Sequence, residues 1–270
     1  GMPIQRVWSR SPEVPERYNS DKIIAHYQTF ERSVDTREVA AHLTACLESH
    51  DQIDLHLNSQ VLKNYKENGF WHLQTKHDRR IENFGPFDFI INSSWEGRLK
   101  LDEQVFGPED GNWFHRYKTA VNLHPENTNN IPNCTAIIGK YGDIIKYPSG
   151  RVYLSWYPAG MLSASKKIRG VKTHYSDAIK CKVAKDTLTG LSQFVPAVDS
   201  VFSACAPKAG DVAGGIIMAR GKSDIDDSKS ELHQRYRIGI KLREGYLSID
   251  TGKYTCGPAF AEQAVNRILG

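Results

Sequence analysis

The stretch Gly245-Tyr246-Leu247-Ser248-Ile249-Asp250-Thr251-Gly252-Lys253-Tyr254-Thr255-Cys256-Gly257-Pro258 decides how this chain is read. Gly245 to Asp250 has the composition of a strand and Gly252 supplies a turn. Pro258 suits the first turn of a closing helix, whose expected apolar stripe is Ala261, Val265 and Ile268. A strand, a glycine turn and a helix N-terminus in that order build a place for an anion or a polar ring. The first N–H groups of a helix lack intrahelical partners, and its dipole is positive there. An ordinary strand-to-helix corner has the same pattern.

Working outward, Arg237 to Lys241 reads as the strand that pairs with Gly245 to Asp250. Before it, Gly214-Gly215-Ile216-Ile217-Met218-Ala219-Arg220 reads as an apolar strand that delivers Arg220 at its end. A guanidinium placed there can fork onto a substrate carboxylate; a surface ion pair is the alternative. His233 and Arg235 follow as polar groups of the same mouth. Gly221-Lys222-Ser223 resembles the end of a phosphate loop. The glycine that motif needs at position 216 is Ile216, so a strand stands where the glycine-rich turn belongs.

Toward the N-terminus, Asp35 and Glu38 form a capping signal for a helix with Val39, Leu43 and Leu47 on one face, ending at His50-Asp51. A short strand is expected at Ile4 to Trp8, and another where Ile53, Leu55 and Leu57 alternate with polar residues. Asn68-Gly69 predicts a hairpin between Val61–Tyr65 and Phe70–Thr75. Phe87 to Asn92 reads as one short buried strand running into Ser93 and Ser94. In the middle, Tyr117–Leu123, Thr135–Ile138, Asp143–Lys146 and Arg151–Tyr157 read as strands, the last two joined by Pro148-Ser149-Gly150. Leu188, Leu191, Val195 and Val198 share a helix face interrupted by Pro196. Strands and helices mixed without regular βαβ alternation indicate α+β.

Composition narrows the function classes. Hydrophobic residues are 40% and charged residues 24%, which places the chain among globular proteins. The net charge of +4 is mild, and the densest basic cluster, Lys166, Lys167, Arg169 and Lys172, reads as a solvated loop, so no nucleic-acid partner is expected. No apolar run reaches the roughly 18 residues of a membrane span, and no secretory leader opens the sequence; the expected location is cytoplasmic. Cys46, Cys134, Cys181, Cys205 and Cys256 never form a Cys-x-x-Cys spacing, so reduced thiols are expected rather than disulfides or structural zinc. Asn92-Ser93-Ser94 and Asn133-Cys134-Thr135 read as chance matches to the glycosylation pattern. Neither a Gly-x-Ser-x-Gly elbow nor a zinc-hydrolase histidine pair is present, and no metal site is expected.

The order of these motifs, from Asp35-Thr36-Arg37-Glu38 through Phe87-Asp88-Phe89-Ile90-Ile91-Asn92-Ser93-Ser94-Trp95 to Gly252-Lys253-Tyr254-Thr255 and its helix, resembles FAD-dependent oxidoreductases of the D-amino-acid oxidase and glycine oxidase type. The likeness runs from about Tyr27 to Leu269. It implies a partial FAD-binding α/β lobe from residues 23–95 and 245–270, and a substrate or cap domain with an antiparallel sheet from 96–244. It implies FAD as cofactor and hydride transfer to flavin from a C–H beside an amine or hydroxyl. It places Val61 at the adenine end, Asn92, Ser93 and Ser94 at a turn beside the flavin, and Thr251, Gly252, Lys253, Tyr254 and Thr255 around its ring. Arg220 matches the substrate-binding arginine, with His233 and Arg235 nearby, for a small anionic amine or hydroxy substrate. No catalytic residue is named by it.

Family members begin with a glycine-rich βαβ unit that this sequence lacks. The expectation is therefore a truncated enzyme or one whose missing unit comes from a partner chain. The alternative is a non-catalytic binding protein on the same fold, a homodimer through the exposed flavin-lobe surface.

Overall fold

A computed structural model describes residues 8–109, 113–137, 141–167, 171–221, 223–224, 227, 229–231 and 238–270. The chain begins with β1 (Trp8–Arg10), β2 (Tyr27–Thr29), α1 (Thr36–Ser49), β3 (Ser59–Glu67), β4 (Phe70–His77), β5 (Arg80–Phe87), β6 (Ile90–Asn92) and α2 (Arg98–Phe106). It continues through β7 (Trp113–Leu123), β8 (Cys134–Thr135), β9 (Gly142–Lys146), β10 (Val152–Trp156), α3 (Tyr157–Gly160), β11 (Met161–Ser165), α4 (Asp177–Ser192) and α5 (Ala197–Ser203). It closes with β12 (Val212–Arg220), β13 (Gly239–Arg243), β14 (Tyr246–Asp250) and α6 (Gly257–Leu269). Helices and antiparallel sheets are mixed, and the fold class is α+β. Two compact units result: Gly1–Asp35 with Arg116–Ala164 and Val171–Ile217, and Thr36–His115 with Ser165–Gly170 and Met218–Gly270.

The first unit is a sheet with a helix laid on it. The strands run in the order β11-β7-β10-β9-β8, with β12 also on β7. The β9–β10 turn closes through the Gly150 amide on the Tyr147 carbonyl, and Gly150 takes the positive φ that the turn requires. Val121, Ile144, Val152 and Leu154 point into the core, where α4 contributes Val183, Ala184, Leu188 and Leu191. Each Val, Leu or Ile side chain among them stabilises by about 1.5–3 kcal/mol when fully buried. Pro196 stops the helical run: α4 ends at Ser192, and α5 restarts directly after the proline. Asp35 and Arg151, both buried, pair at 2.6 Å.

The second unit carries two three-stranded sheets, β3-β4-β5 and β13-β14-β6. Asn68 and Gly69 both have positive φ, the conformation of a two-residue hairpin turn. The indole of buried Trp71 on β4 packs 5.6 Å from the ring of Tyr246 on β14, and its Nε1 donates to the Glu244 carbonyl at 2.8 Å.

Several expectations need correction. Ile53, Leu55 and Leu57 lie in turn and irregular chain, 41%, 38% and 58% exposed. Alternation makes a strand only where a partner offers a ladder for its backbone groups. Phe87 to Asn92 is two strands: Phe87 ends β5 against Trp71, while Ile90–Asn92 pairs with β14, so the chain changes sheet at Asp88-Phe89. The strand expected at Thr135–Ile138 is the two-residue β8, and Ile138 lies outside the described residues. The stretch Ile4 to Val7 also lies outside them, and β1 begins at Trp8. On α6 the buried position is Ala264, with Phe260 and Ile268 half-buried, whereas Ala261 and Val265 face outward.

Candidate functional site

Helix α2 organises this region, although its sequence hides it. Arg98-Leu99-Lys100-Leu101-Asp102 alternates polar and apolar residues like a strand, yet it forms a helix with Arg98, Leu99, Leu101 and Asp102 buried. Leu99 packs with Trp113 and Met218, the latter on β12 two residues before Arg220. Gln104 closes the free edge of β3: its Oε1 accepts the Asn64 amide at 2.9 Å, and its Nε2 donates to the Leu62 carbonyl at 3.3 Å.

Arg98 and Asp102 form a buried ionic centre, 2% and 0% exposed. Arg98 Nη1 donates to Asp102 Oδ2 at 2.9 Å, and its Nη2 donates to Asp250 Oδ2 at 3.1 Å. Asp102 Oδ1 accepts the Tyr246 hydroxyl at 3.0 Å and Asn92 Nδ2 at 2.9 Å; its Oδ2 accepts the Ser248 hydroxyl at 2.6 Å. Burial and the neighbouring Asp102 charge push the Tyr246 hydroxyl far above its ordinary pKa, so it remains a donor.

β6 and β14 are parallel neighbours, in the register Tyr246 with Ile90, Leu247 with Ile91 and Ser248 with Asn92. Their carboxyl ends therefore lie side by side. In parallel sheets, ligands bind beyond such ends. Ser93 and Ser94 leave β6 there, and Thr251 to Thr255 leave β14 and lead through a turn of 3₁₀ helix into α6. The sequence-predicted residues Asn92 to Ser94 and Thr251 to Thr255 thus leave the sheet at the same end of neighbouring strands. Asn92 itself is 4% exposed and turned inward; its Oδ1 accepts the Ser94 amide at 3.3 Å and hydroxyl at 2.6 Å.

On the other turn, Asp250 Oδ1 accepts the Gly252 amide at 3.0 Å, and the Lys253 amide bonds the Thr251 carbonyl at 2.7 Å. Gly252 has φ +62°, and a Cβ there would meet Ile238 at 2.9 Å. Ser93, Ser94, Lys253, Tyr254 and Thr255 are exposed, and no side chain caps the N-terminus of α6 at Cys256.

Other predicted residues stand elsewhere. Val61 sits at the β-bulge of β3, in the other sheet of this unit. Arg220 ends β12, half-buried. The strand character of Ile216 agrees with rejecting a phosphate loop; Lys222 lies outside the described residues, as do His233 and Arg235. Lys166, Lys167 and Lys172 are exposed, and Arg169 lies outside the described residues.

Sequence reasoning missed β5, α2, Arg98 and Asp102. The signal for the pair was its i, i+4 spacing, masked by the Leu99/Leu101 alternation. Around it, the Arg98 guanidinium lies 5.1 Å from the Trp113 ring centre, and Glu109 accepts from Trp113 and Lys241. Burial raises the Glu109 pKa, but Lys241, Trp113 and Arg98 together outweigh it and hold the carboxyl below its ordinary value. His115 is 2% exposed, and burial lowers its pKa, which keeps the ring neutral.

Among the described residues, no helix is long and apolar enough to cross a membrane, and no group of three or more His, Cys, Asp or Glu side chains could hold a metal. All five cysteines are free. No family model and no curated protein matches the sequence. Among solved structures, the chain is similar to L-proline dehydrogenase from P. horikoshii, with a TM-score of 0.52 at 10% identity. The match covers 86% of this chain and 54% of that one, so the chain spans about half the length of the structure it matches. At this identity the likeness is one of fold.

Proposed function

We propose that this chain is the substrate part, with a portion of the flavin part, of an FAD-dependent oxidoreductase acting on a small anionic amine or hydroxy compound. The observation that carries the reading is the parallel β6–β14 pair, with an exposed polar turn leaving the carboxyl end of each strand. The fold it shares with a dehydrogenase supports the same class. In this reading residues 23–95 and 245–270 belong to the flavin part and 96–244 to the substrate part, with α2 serving the former because it packs on β6 and β14.

The residues present suit the ring end of a flavin. The Gly252, Lys253, Cys256 and Gly257 amides are engaged locally and Pro258 has no N–H, so the donors left for a ring edge are Tyr254, Thr255 and Ala259. The Ser93 and Ser94 turn leaves the neighbouring strand β6 and is assigned to the same ring, and Val61 is assigned to the adenine end. The chemistry such a cofactor supplies when bound is acceptance of a hydride from a carbon bearing an amine or hydroxyl. Arg220 would hold the substrate anion with a charged hydrogen bond. His233 and Arg235 are assigned beside it.

FAD titration of the purified chain, followed by flavin fluorescence, tests the reading. A saturable one-to-one change is expected. No saturable change overturns it.

A second reading, a non-catalytic protein that binds a partner or its own copy, is favoured by α1. Val39 is half-buried and every other residue of α1 is exposed, including Leu43 and Leu47. Apolar surface left open in this way marks an interaction face. Sedimentation that finds a flavin-free dimer, dissociated by Leu43→Glu with Leu47→Glu, would favour it.

A further inference from the structure

We propose that Arg98 is the positioning residue of the two-turn cradle: through Asp250 and Asp102 it sets the Thr251–Thr255 turn and the Ser93–Ser94 turn together. The ligand named for that cradle rests on the flavin reading; the positioning role does not.

Stability alone does not account for this centre. Taking a guanidinium and a carboxylate out of water costs several kcal/mol per ion, and apolar side chains of similar volume would fill the space at least as well. Apolar groups cannot, however, hold a backbone amide in place.

Each arm of the network ends on a turn. One runs from Arg98 Nη2 to Asp250 Oδ2, and from Asp250 Oδ1 to the Gly252 amide. The other runs from Asp102 Oδ1 to Asn92 Nδ2, and from Asn92 Oδ1 to the amide and hydroxyl of Ser94. Both arms meet where Arg98 Nη1 donates to Asp102 Oδ2. The guanidinium is planar with fixed donor directions, so the two carboxylates are held in a defined relation. Asn92 Nδ2 also donates to the Arg98 carbonyl at 3.1 Å, which ties the β6 turn to the first residue of α2. A ligand that touches either turn therefore meets a surface whose shape depends on Arg98, although Arg98 itself is buried beneath it.

The test is amide hydrogen exchange of the full chain, read by mass spectrometry. The variants are Asp250→Asn and the double change Arg98→Met with Asp102→Asn. The double change removes the two fully buried charges together; the Asp250 carboxylate, which loses the Arg98 bond, is 16% exposed and keeps the Gly252 amide, and an unchanged far-UV spectrum is required of each variant before exchange is read. The double variant is expected to speed exchange by about tenfold or more in peptides covering residues 92–97 and 250–257, the loss of a charged hydrogen bond. Asp250→Asn is expected to do so chiefly in 250–257. The β3–β4 hairpin should stay at its wild-type rate in both.

Wild-type exchange at both turns overturns the proposal. So does acceleration spread equally over β3 and β4, the mark of general loosening. Where wild type binds FAD, both variants should weaken it by about tenfold or more. Where wild type binds no FAD, the flavin reading fails, and the exchange rates still decide the role of Arg98.

Discussion

The guanidinium of Arg98 reaches the carboxylate of Asp250 at 3.1 Å across 152 residues of sequence. That one bond ties the first residue of α2 to the last residue of β14, directly before the turn at Gly252. Asp102, one helical turn further along α2, joins the same centre to Tyr246 and Ser248 on β14 and to Asn92 on β6. The polar centre of this unit and the two exposed turns are thus one hydrogen-bonded structure.

Arg220→Ala tests the substrate role proposed for this residue. If the proposed function holds, the variant loaded with flavin is expected to raise KM for anionic substrates about tenfold or more, the equivalent of a charged hydrogen bond of roughly 1.5–3 kcal/mol. Steady-state kinetics on carboxylate substrates and their neutral amides check it. An unchanged KM removes Arg220 from the substrate site.

Arg151 and Asp35 are 6% and 5% exposed in their side chains, and Arg151 also donates to Asn122 at 2.6 Å. Arg151→Met takes a buried guanidinium away from the buried Asp35 carboxylate, so urea unfolding should show a loss of about 3–5 kcal/mol. A loss under about 1 kcal/mol would mean that the pair behaves as an exposed one.

Gly190 lies where α4 meets the indole of Trp156, and a Cβ there would fall 2.3 Å from the ring. Gly190→Ala is expected to lower stability by about 1–3 kcal/mol through overpacking, although alanine is the better helix former. Gly210, with nothing within 4 Å of its Cβ position, is the control; Gly210→Ala should leave the melting temperature nearly unchanged. Thermal melts of the two variants decide the matter.

Cys46 and Cys181 are exposed, whereas burial and then the Asp143 charge push the Cys134 thiol up to about 12. Only thiolate reacts quickly with an aromatic disulfide reagent. Peptide mapping after brief labelling should find Cys46 and Cys181 modified and Cys134 untouched until the chain is unfolded. Early labelling of Cys134 would contradict its packing beside Ile144 in the β8–β9 pair.

Two groups make stability fall in acid. His115 has a folded pKa below its ordinary 6.5 because burial disfavours the charged ring, so the unfolded chain takes up the proton first. Stability is then lost as pH falls from 6.5 toward the folded value. Glu109 has a folded pKa below its ordinary 4.5, because Lys241, Trp113 and Arg98 together outweigh burial; its contribution is full above 4.5 and is lost as pH falls through the folded value. Urea midpoints measured against pH should lose the first limb in His115→Phe and the second in Glu109→Gln. Unaltered limbs would assign the acid sensitivity to other groups.

Local chemistry made much of the fold legible. Asn68-Gly69, Pro148-Ser149-Gly150, Pro196 and Pro258 each act through their own backbone restrictions, so the two hairpins, the break between α4 and α5 and the start of α6 could be read directly. The turn at Thr251–Thr255 was legible for the same reason, through Gly252, whereas that at Asn92–Ser94 came from the family resemblance.

Residue order therefore dictates where the chain bends. That β6 lies parallel to β14, that Leu99 and Leu101 belong to a helix, and that α6 buries Ala264 rather than Val265 follow only from long-range packing. These depend on which distant surface receives each face. A turn is settled by the energies of a few adjacent residues, but a pair such as Arg98 and Asp250 gains its energy only once folding has removed the water between them.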